Sequence, residues 1–217
     1  MIMRYLITGL LSAYVSFTVS AQQTTNDSLP ARPDTISSSW SFEIEAYYYI
    51  LPGEKNTTTL IGDADHKAFH LESRYNYEDV KTASVFGGYN FKAGNKLQWA
   101  LTPMVGFIFG NTYGFAPGFE GSLKWKKFDF YSESEYVVNF AEEKDNFFYT
   151  WTELAITPIR NFRIGMSVNK TRLIHSDLEI QRGIFTEYSF WKLTAAIHYF
   201  NPFSDEEYVI AMLHIEF

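Results

Sequence analysis

The sequence contains no cysteine among its 217 residues. That absence excludes disulfides, thiolate metal sites and lipid attachment through a cysteine. Beyond residue 21 it also lacks any apolar run near the roughly 20 residues that a spanning helix needs. No segment longer than about a dozen residues spaces its apolar positions as a helix would. Basic residues are in deficit, 18 Lys and Arg against 25 Asp and Glu, for a net charge of −7. An acidic chain repels phosphate backbones, so no nucleic-acid partner is expected.

What is present begins with an export signal. "MIMRY" supplies one positive charge, "LITGLLSAYVSFTV" an apolar run, and "VSA" small residues before Gln22. This layout predicts a signal peptide over 1–21, cleaved near Ala21. Its removal takes Arg4 and no acid, which moves the net charge from −7 to −8. A polar leader over 22–39, expected to be disordered, precedes a single domain over 40–217. The leader's "DSL" and "DTI" (Asp27–Leu29 and Asp34–Ile36) fit a short O-glycosylation acceptor pattern, although three-residue matches arise easily by chance.

Within 40–217 the dominant signal is alternation with period two. In "WSFEIEAYYYI", Trp40, Phe42, Ile44, Ala46, Tyr48 and Ile50 share one face, and Ser41, Glu43, Glu45, Tyr47 and Tyr49 the other. In "AFHLESRYNYE", Phe69, Leu71, Ser73, Tyr75 and Tyr77 oppose His70, Glu72, Arg74, Asn76 and Glu78. "LQWALTPMVGFIF", "FAPGFEGSLKW", "FDFYSESEYVVNF", "FRIGMSVN" and "LTAAIHYF" continue the series. Short connections rich in Gly, Asn, Asp, Pro and charge separate the runs, among them "PGEKN", "DADHK", "KKFD" and "WK". They imply about twelve strands, with "NTTTLIGD" the weakest, and ten as the alternative. Counted back from Phe217, longer and shorter connections tend to alternate.

A soluble sandwich alternates too, with its greasy face inward. Three features favour a bilayer instead. The polar faces carry small residues and charges of both signs. Large rings, such as Trp40, Tyr77, Trp99, Trp125 and Phe190, recur near strand ends, where interfacial girdles lie. Strands of about 9–12 residues cross a bilayer when tilted. Hydrocarbon tolerates no open sheet edge, so the strands must close. The expected fold is all-β, a closed antiparallel transmembrane β-barrel.

The segment "YVIAMLHIEF" sets Val209, Ala211, Leu213, Ile215 and Phe217 on one face. With the alternation before it, the chain resembles the outer-membrane β-barrel proteins of Gram-negative bacteria. That resemblance implies a bacterial outer-membrane location, a periplasmic leader and contact with outer-membrane lipid. It also implies that Val209, Ala211, Leu213, Ile215 and Phe217 form an assembly signal read by the barrel-assembly machinery.

The inward set holds the candidate site. It comprises Glu43, Glu45, His70, Glu72, Arg74, Glu78, Glu120, Lys124, Asp129, Glu133, Glu135, Glu153, Arg163, Glu187, His198, His214 and Glu216. Such a lumen is acidic. It reads either as side chains that cross-pair and fill a narrow barrel, or as a wet path favouring cations or neutral polar solutes. The working function is a small channel or transport-type barrel. The alternatives are a structural barrel with a plugged lumen and a lipid- or peptide-hydrolysing barrel enzyme. No catalytic residue is assigned. His70 and Ser73 point to opposite faces, no His-x-Ser occurs, and "IHSD" (His175, Ser176, Asp177) sits on an expected outer loop. Asp63, Asp65, His66 and His70 could gather a cation, but their spacing matches no standard loop. No metal and no cofactor are expected. Lys170, Arg172 and Arg182, toward the outer strand ends, could touch anionic headgroups.

Overall fold

The computed structural model describes residues 39–142, 145–173 and 179–217. The signal and leader segments, with their cleavage and glycosylation motifs, lie outside these, as do His175, Ser176 and Asp177.

Alternation becomes strand throughout. The segments are β1 (Ser41–Ile50), β2 (Thr57–His66), β3 (Phe69–Tyr75), β4 (Ala83–Tyr89), β5 (Phe91–Ala93), β6 (Leu97–Phe109) and β7 (Gly114–Trp125). They continue as β8 (Phe128–Asn139), β9 (Phe147–Ile159), β10 (Phe162–Leu173), β11 (Glu179–Phe190), β12 (Leu193–Phe200) and β13 (Tyr208–Glu216). Successive strands pair antiparallel, β4 and β5 excepted. Only Asn90 separates β4 from β5, and both pair with β6, so they form one stave of twelve. The ring closes where β1 meets β13, with Ile44 opposite Ile215 and Glu45 opposite His214. The chain is a closed antiparallel twelve-strand β-barrel. Closure gives every stave two partners and leaves no edge.

The sides of the wall are inverted relative to a soluble protein. Phe107 is 68% exposed and Phe69 62%, whereas Glu72 is 3% exposed and Arg74 6%. Rings that a soluble fold would hide stand outward, and ions that it would display stand within. That distribution fits hydrocarbon outside and a polar interior. On β8 and β9 four hydroxyls also face outward. Ser132 bonds Thr152 at 3.0 Å, Ser134 donates to Thr150 at 2.8 Å, and Thr150 donates to the Glu133 carbonyl at 2.8 Å. The patch thus satisfies its own hydrogen bonds without recourse to solvent.

Connections sort by end more sharply than the sequence suggests. Turns 67–68, 94–96, 126–127, 160–161 and 191–192 lie at one end; the connections at the other span 51–56, 76–82, 110–113, 140–146 and 201–207. Lys67, Lys126, Asn161 and Trp191 take positive φ in the short turns. That geometry matches the twist of two-residue hairpins.

Two expectations need correction. "DADHK" is not a connection. Asp63, Asp65 and His66 lie inside β2, and the turn is 67–68. Asp-rich turn chemistry masked a strand whose partners in β1 and β3 continue through it. Tyr77 is not a girdle ring either. Asn76 adopts φ 57°, which breaks the alternation, and Tyr77 turns inward against Tyr149 with ring centroids 5.4 Å apart. Asn76 is pinned there by its donation to the Thr58 carbonyl at 2.9 Å and by Lys81 N–H donating to its side chain at 2.7 Å.

At the loop end the interior is packed. Phe86, Met104, Ile108, Ala116 and Val137 form one buried cluster, and Trp151, Phe200, Tyr208 and Ile210 a second. Gly106 admits Phe86, because a Cβ there would lie 2.5 Å from that ring. Gly106→Val is expected to cost about 1–3 kcal/mol through overpacking. A lowered unfolding midpoint for the heat-shifted band on an unboiled gel would register it.

Candidate functional site

The strands bring most of the inward set onto one cavity of about 560 Å³. β1 contributes Glu43 and Glu45, β2 Asp63 and Asp65, and β3 His70 and Glu72. Glu120 of β7 and Glu133 of β8 face them, with Glu153, Arg163, Glu187, His198 and His214 completing the wall. Lys124 lies elsewhere, in a second recess of about 330 Å³ shared with Asp129 and Arg163. Arg74 and Glu135 sit deeper, beside Phe86 and Met104. Glu78 lies in the 76–82 connection and accepts from Ser84 at 2.5 Å. Asp63, Asp65, Tyr47, Tyr49, Tyr131, Tyr149 and Trp151 also line the cavity. Sequence reasoning did not name them as lining residues; inward parity was the available signal for the tyrosines and Trp151, whereas Asp63 and Asp65 were hidden in a stretch read as a turn.

Two arginines anchor the charge network. Arg74 pairs with Glu72 and, through Nη1, with Glu135 Oε2 at 3.0 Å. Its guanidinium lies 4.2 Å from the Tyr77 ring centroid and 4.4 Å from that of Phe86. Arg163 gathers Asp129 at 2.6 Å, Glu153 at 2.9 Å and Glu187 at 3.1 Å. Histidines bridge further carboxylates. His70 Nδ1 is 2.9 Å from Asp65 and its Nε2 3.4 Å from Glu72, while His214 Nε2 is 3.2 Å from Glu43. Asn90 donates to Asp65 at 2.8 Å and accepts from Thr102 at 2.6 Å, so the break between β4 and β5 serves this network.

Cations do not balance the wall. Ten carboxylates line the cavity against Lys92 and Arg163 and three histidines. Register places acid beside acid: Glu43 opposite both Glu216 and Asp63, Asp63 opposite Glu72, and Glu120 opposite Glu133. Directly opposed like charges destabilise a sheet. At about 5 Å and an effective dielectric near 20, each ionised pair costs on the order of 3 kcal/mol. Among the described ion pairs none involves Asp63 or Glu120. Mobile cations in the cavity would offset that repulsion.

Geometry relates the wall to known barrels. No family model and no curated sequence matches the chain. Among solved structures it is similar to the KdgM porin, both alone and in complex with disordered oligogalacturonate. In each case the TM-score is 0.63 at 13% identity, covering 81% of this chain and 99% of that one. It is also similar to the NanC porin in a rhombohedral crystal form, with TM-score 0.59 and 13% identity over 81% of this chain and 98% of that one. At this identity the likeness shows the fold alone, a closed antiparallel β-barrel, and leaves the chemistry to the side chains.

Other candidate chemistries find less support in the geometry. His70 is buried while Ser73 faces outward and donates to the Gly62 carbonyl at 3.3 Å. Asp63, His70 and Glu72 bring donor atoms within 4.8 Å of one another. However, both ring nitrogens of His70 already face carboxylates and Glu72 also pairs with Arg74, so His70 and Glu72 belong to an ion-pair network that Asp63 does not join. His66 stacks on Trp40 with ring centroids 5.0 Å apart rather than turning toward it.

Proposed function

We propose that the chain is an outer-membrane channel-type barrel for small cations and neutral polar solutes. The carrying observation is the cavity with ten carboxylates, several opposed in register. A ring of acids concentrates cations and repels anions within a confined pore. The outward belt of rings and the porin-type fold support the membrane location. The solute does not follow from the fold: one similar porin is described with oligogalacturonate, an oligomer of a carboxylate-bearing sugar, which this acidic wall would repel. In planar bilayers under a KCl gradient, the reversal potential is expected to lie on the potassium side. A chloride-side potential would refute the reading.

A second reading has its own observation. The loop-end interior is closed by Phe86, Ile108, Val137, Phe200 and Ile210, each nearly or wholly inaccessible. A barrel that stays so is a structural barrel with a blocked lumen, and it would be silent in the same bilayers.

Contact with outer-membrane lipid and recognition by the barrel-assembly machinery belong to the same proposal. Val209, Ala211, Leu213 and Ile215 lie on the outward parity of β13, and Phe217 N–H donates to the Phe42 carbonyl at 2.9 Å. Phe217→Ala is expected to reduce the heat-modifiable fraction in cells while leaving refolding into detergent intact. Equal loss in both settings would point to a structural defect instead.

A further inference from the structure

The two ends of the barrel carry opposite charge. All five short turns hold a basic residue, namely Lys67, Lys96, Lys126 with Lys127, Arg160 and Lys192, and none holds an acid. The connections at the other end hold Glu54, Glu78, Asp79, Glu142, Asp145, Asp205, Glu206 and Glu207 against Lys55 and Lys81 among the described residues. The acids nearest the short turns, Glu43, Asp65, Asp129 and Glu216, lie on the lumen parity, so the surroundings of the wall meet cations first.

Tryptophan follows the same end. Trp40, Trp99, Trp125 and Trp191 are exposed, at 46%, 40%, 48% and 87%. Each lies at or within a few residues of the short-turn end. Lys126 Nζ sits 4.7 Å from the Trp125 ring centroid. Indole beside ammonium is the composition of a headgroup interface, where the ring enters the acyl boundary and the cation meets phosphate. Lys127 is the one turn cation with a described backbone tie, donating to the Pro158 carbonyl at 2.8 Å.

We propose that this collar docks anionic phospholipid headgroups of the leaflet at the short-turn end, with Lys67, Lys96, Lys126, Arg160 and Lys192 meeting the phosphates. The proposal rests on the barrel spanning a bilayer and is independent of what the lumen conducts. Each contact corresponds to roughly a five-fold preference for anionic over neutral lipid at low salt, and screening removes it as salt rises.

The test refolds the full chain into vesicles of phosphatidylcholine with or without phosphatidylglycerol and follows the unfolding midpoint of the heat-shifted gel band. Phosphatidylglycerol is expected to raise the midpoint at low salt and to lose that effect at high salt. A variant carrying Lys67→Gln, Lys96→Gln, Lys126→Gln, Arg160→Gln and Lys192→Gln should fold in phosphatidylcholine and show no phosphatidylglycerol effect. Lys55→Gln with Lys81→Gln, at the opposite end, should keep it. An unchanged effect in the collar variant overturns the proposal, as does a wild-type midpoint indifferent to phosphatidylglycerol or to salt. If the collar variant does not fold, the wild-type salt and lipid dependence decides alone. Folding of the wild type in phosphatidylcholine in every case leaves the barrel itself standing.

Discussion

Replacing Arg74 by methionine is expected to destabilise the barrel by about 3–5 kcal/mol, the cost of breaking a buried ion pair from one side. Its side chain is 4% exposed, with Glu72 at 1% and Glu135 at 4%, so water cannot substitute for the lost guanidinium. Glu72 would keep His70 but would still face Asp63 in register. Glu135 would fare worse, because one of its oxygens already lacks a hydrogen-bond partner. The stacking of the guanidinium against Tyr77 and Phe86 would also be lost. Unfolding in denaturant, followed by the heat-shifted band, measures the change. Adding Glu72→Gln and Glu135→Gln to the same variant should recover most of the loss, since an isosteric neutral set buries no unpaired charge. No recovery would mean that Arg74 acts through packing alone.

Glu120→Lys is expected to act in opposite directions on stability and on selectivity. Glu120 faces Glu133 across β7 and β8, and no described ion pair uses it. A lysine there converts an opposed like pair into an opposite pair, worth roughly 0.2–1 kcal/mol as a cross-strand contact alone. Relief of the existing repulsion adds to that gain. In the pore the same change removes one negative charge from the cavity wall and adds a positive one, so the potassium-side reversal potential should shrink while keeping its sign. A site kept unfavourable for folding but favourable for passage is the usual sign of function opposing stability. If Glu120→Lys stabilised the barrel while conductance and selectivity stayed unchanged, the acids would be filling rather than path.

The wall was readable in the sequence because lipid outside and charge inside impose one rule on every stave. Ile44 against Glu45, Leu71 against Glu72 and Phe130 against Asp129 each show it within two residues. The interior was less readable because parity says which side a residue faces and nothing of what it meets. Asp63 and Asp65 hid inside "DADH", where strand pairing outweighs turn preference. Tyr77 hid behind the single left-handed residue Asn76. Tyr131, Tyr149 and Trp151 occupy the inward parity of strands whose outward positions include hydroxyls, which blurs the greasy-versus-polar contrast there. The convergence of Asp129, Glu153 and Glu187 on Arg163 needs four strands in register, and no local pattern announces it.

The orientation of the wall is the claim on which the rest depends, and the cysteine-free sequence makes it directly measurable. Single cysteines placed along β11, in the barrel reconstituted into vesicles, would be challenged with a charged, water-borne thiol reagent. Glu187→Cys and Ser189→Cys should be modified, whereas Ile184→Cys, Thr186→Cys and Tyr188→Cys should be protected by lipid, and bromine-labelled acyl chains should quench a fluorophore only at the latter three. The reverse pattern, with 184, 186 and 188 reactive and 187 and 189 shielded, would contradict the account.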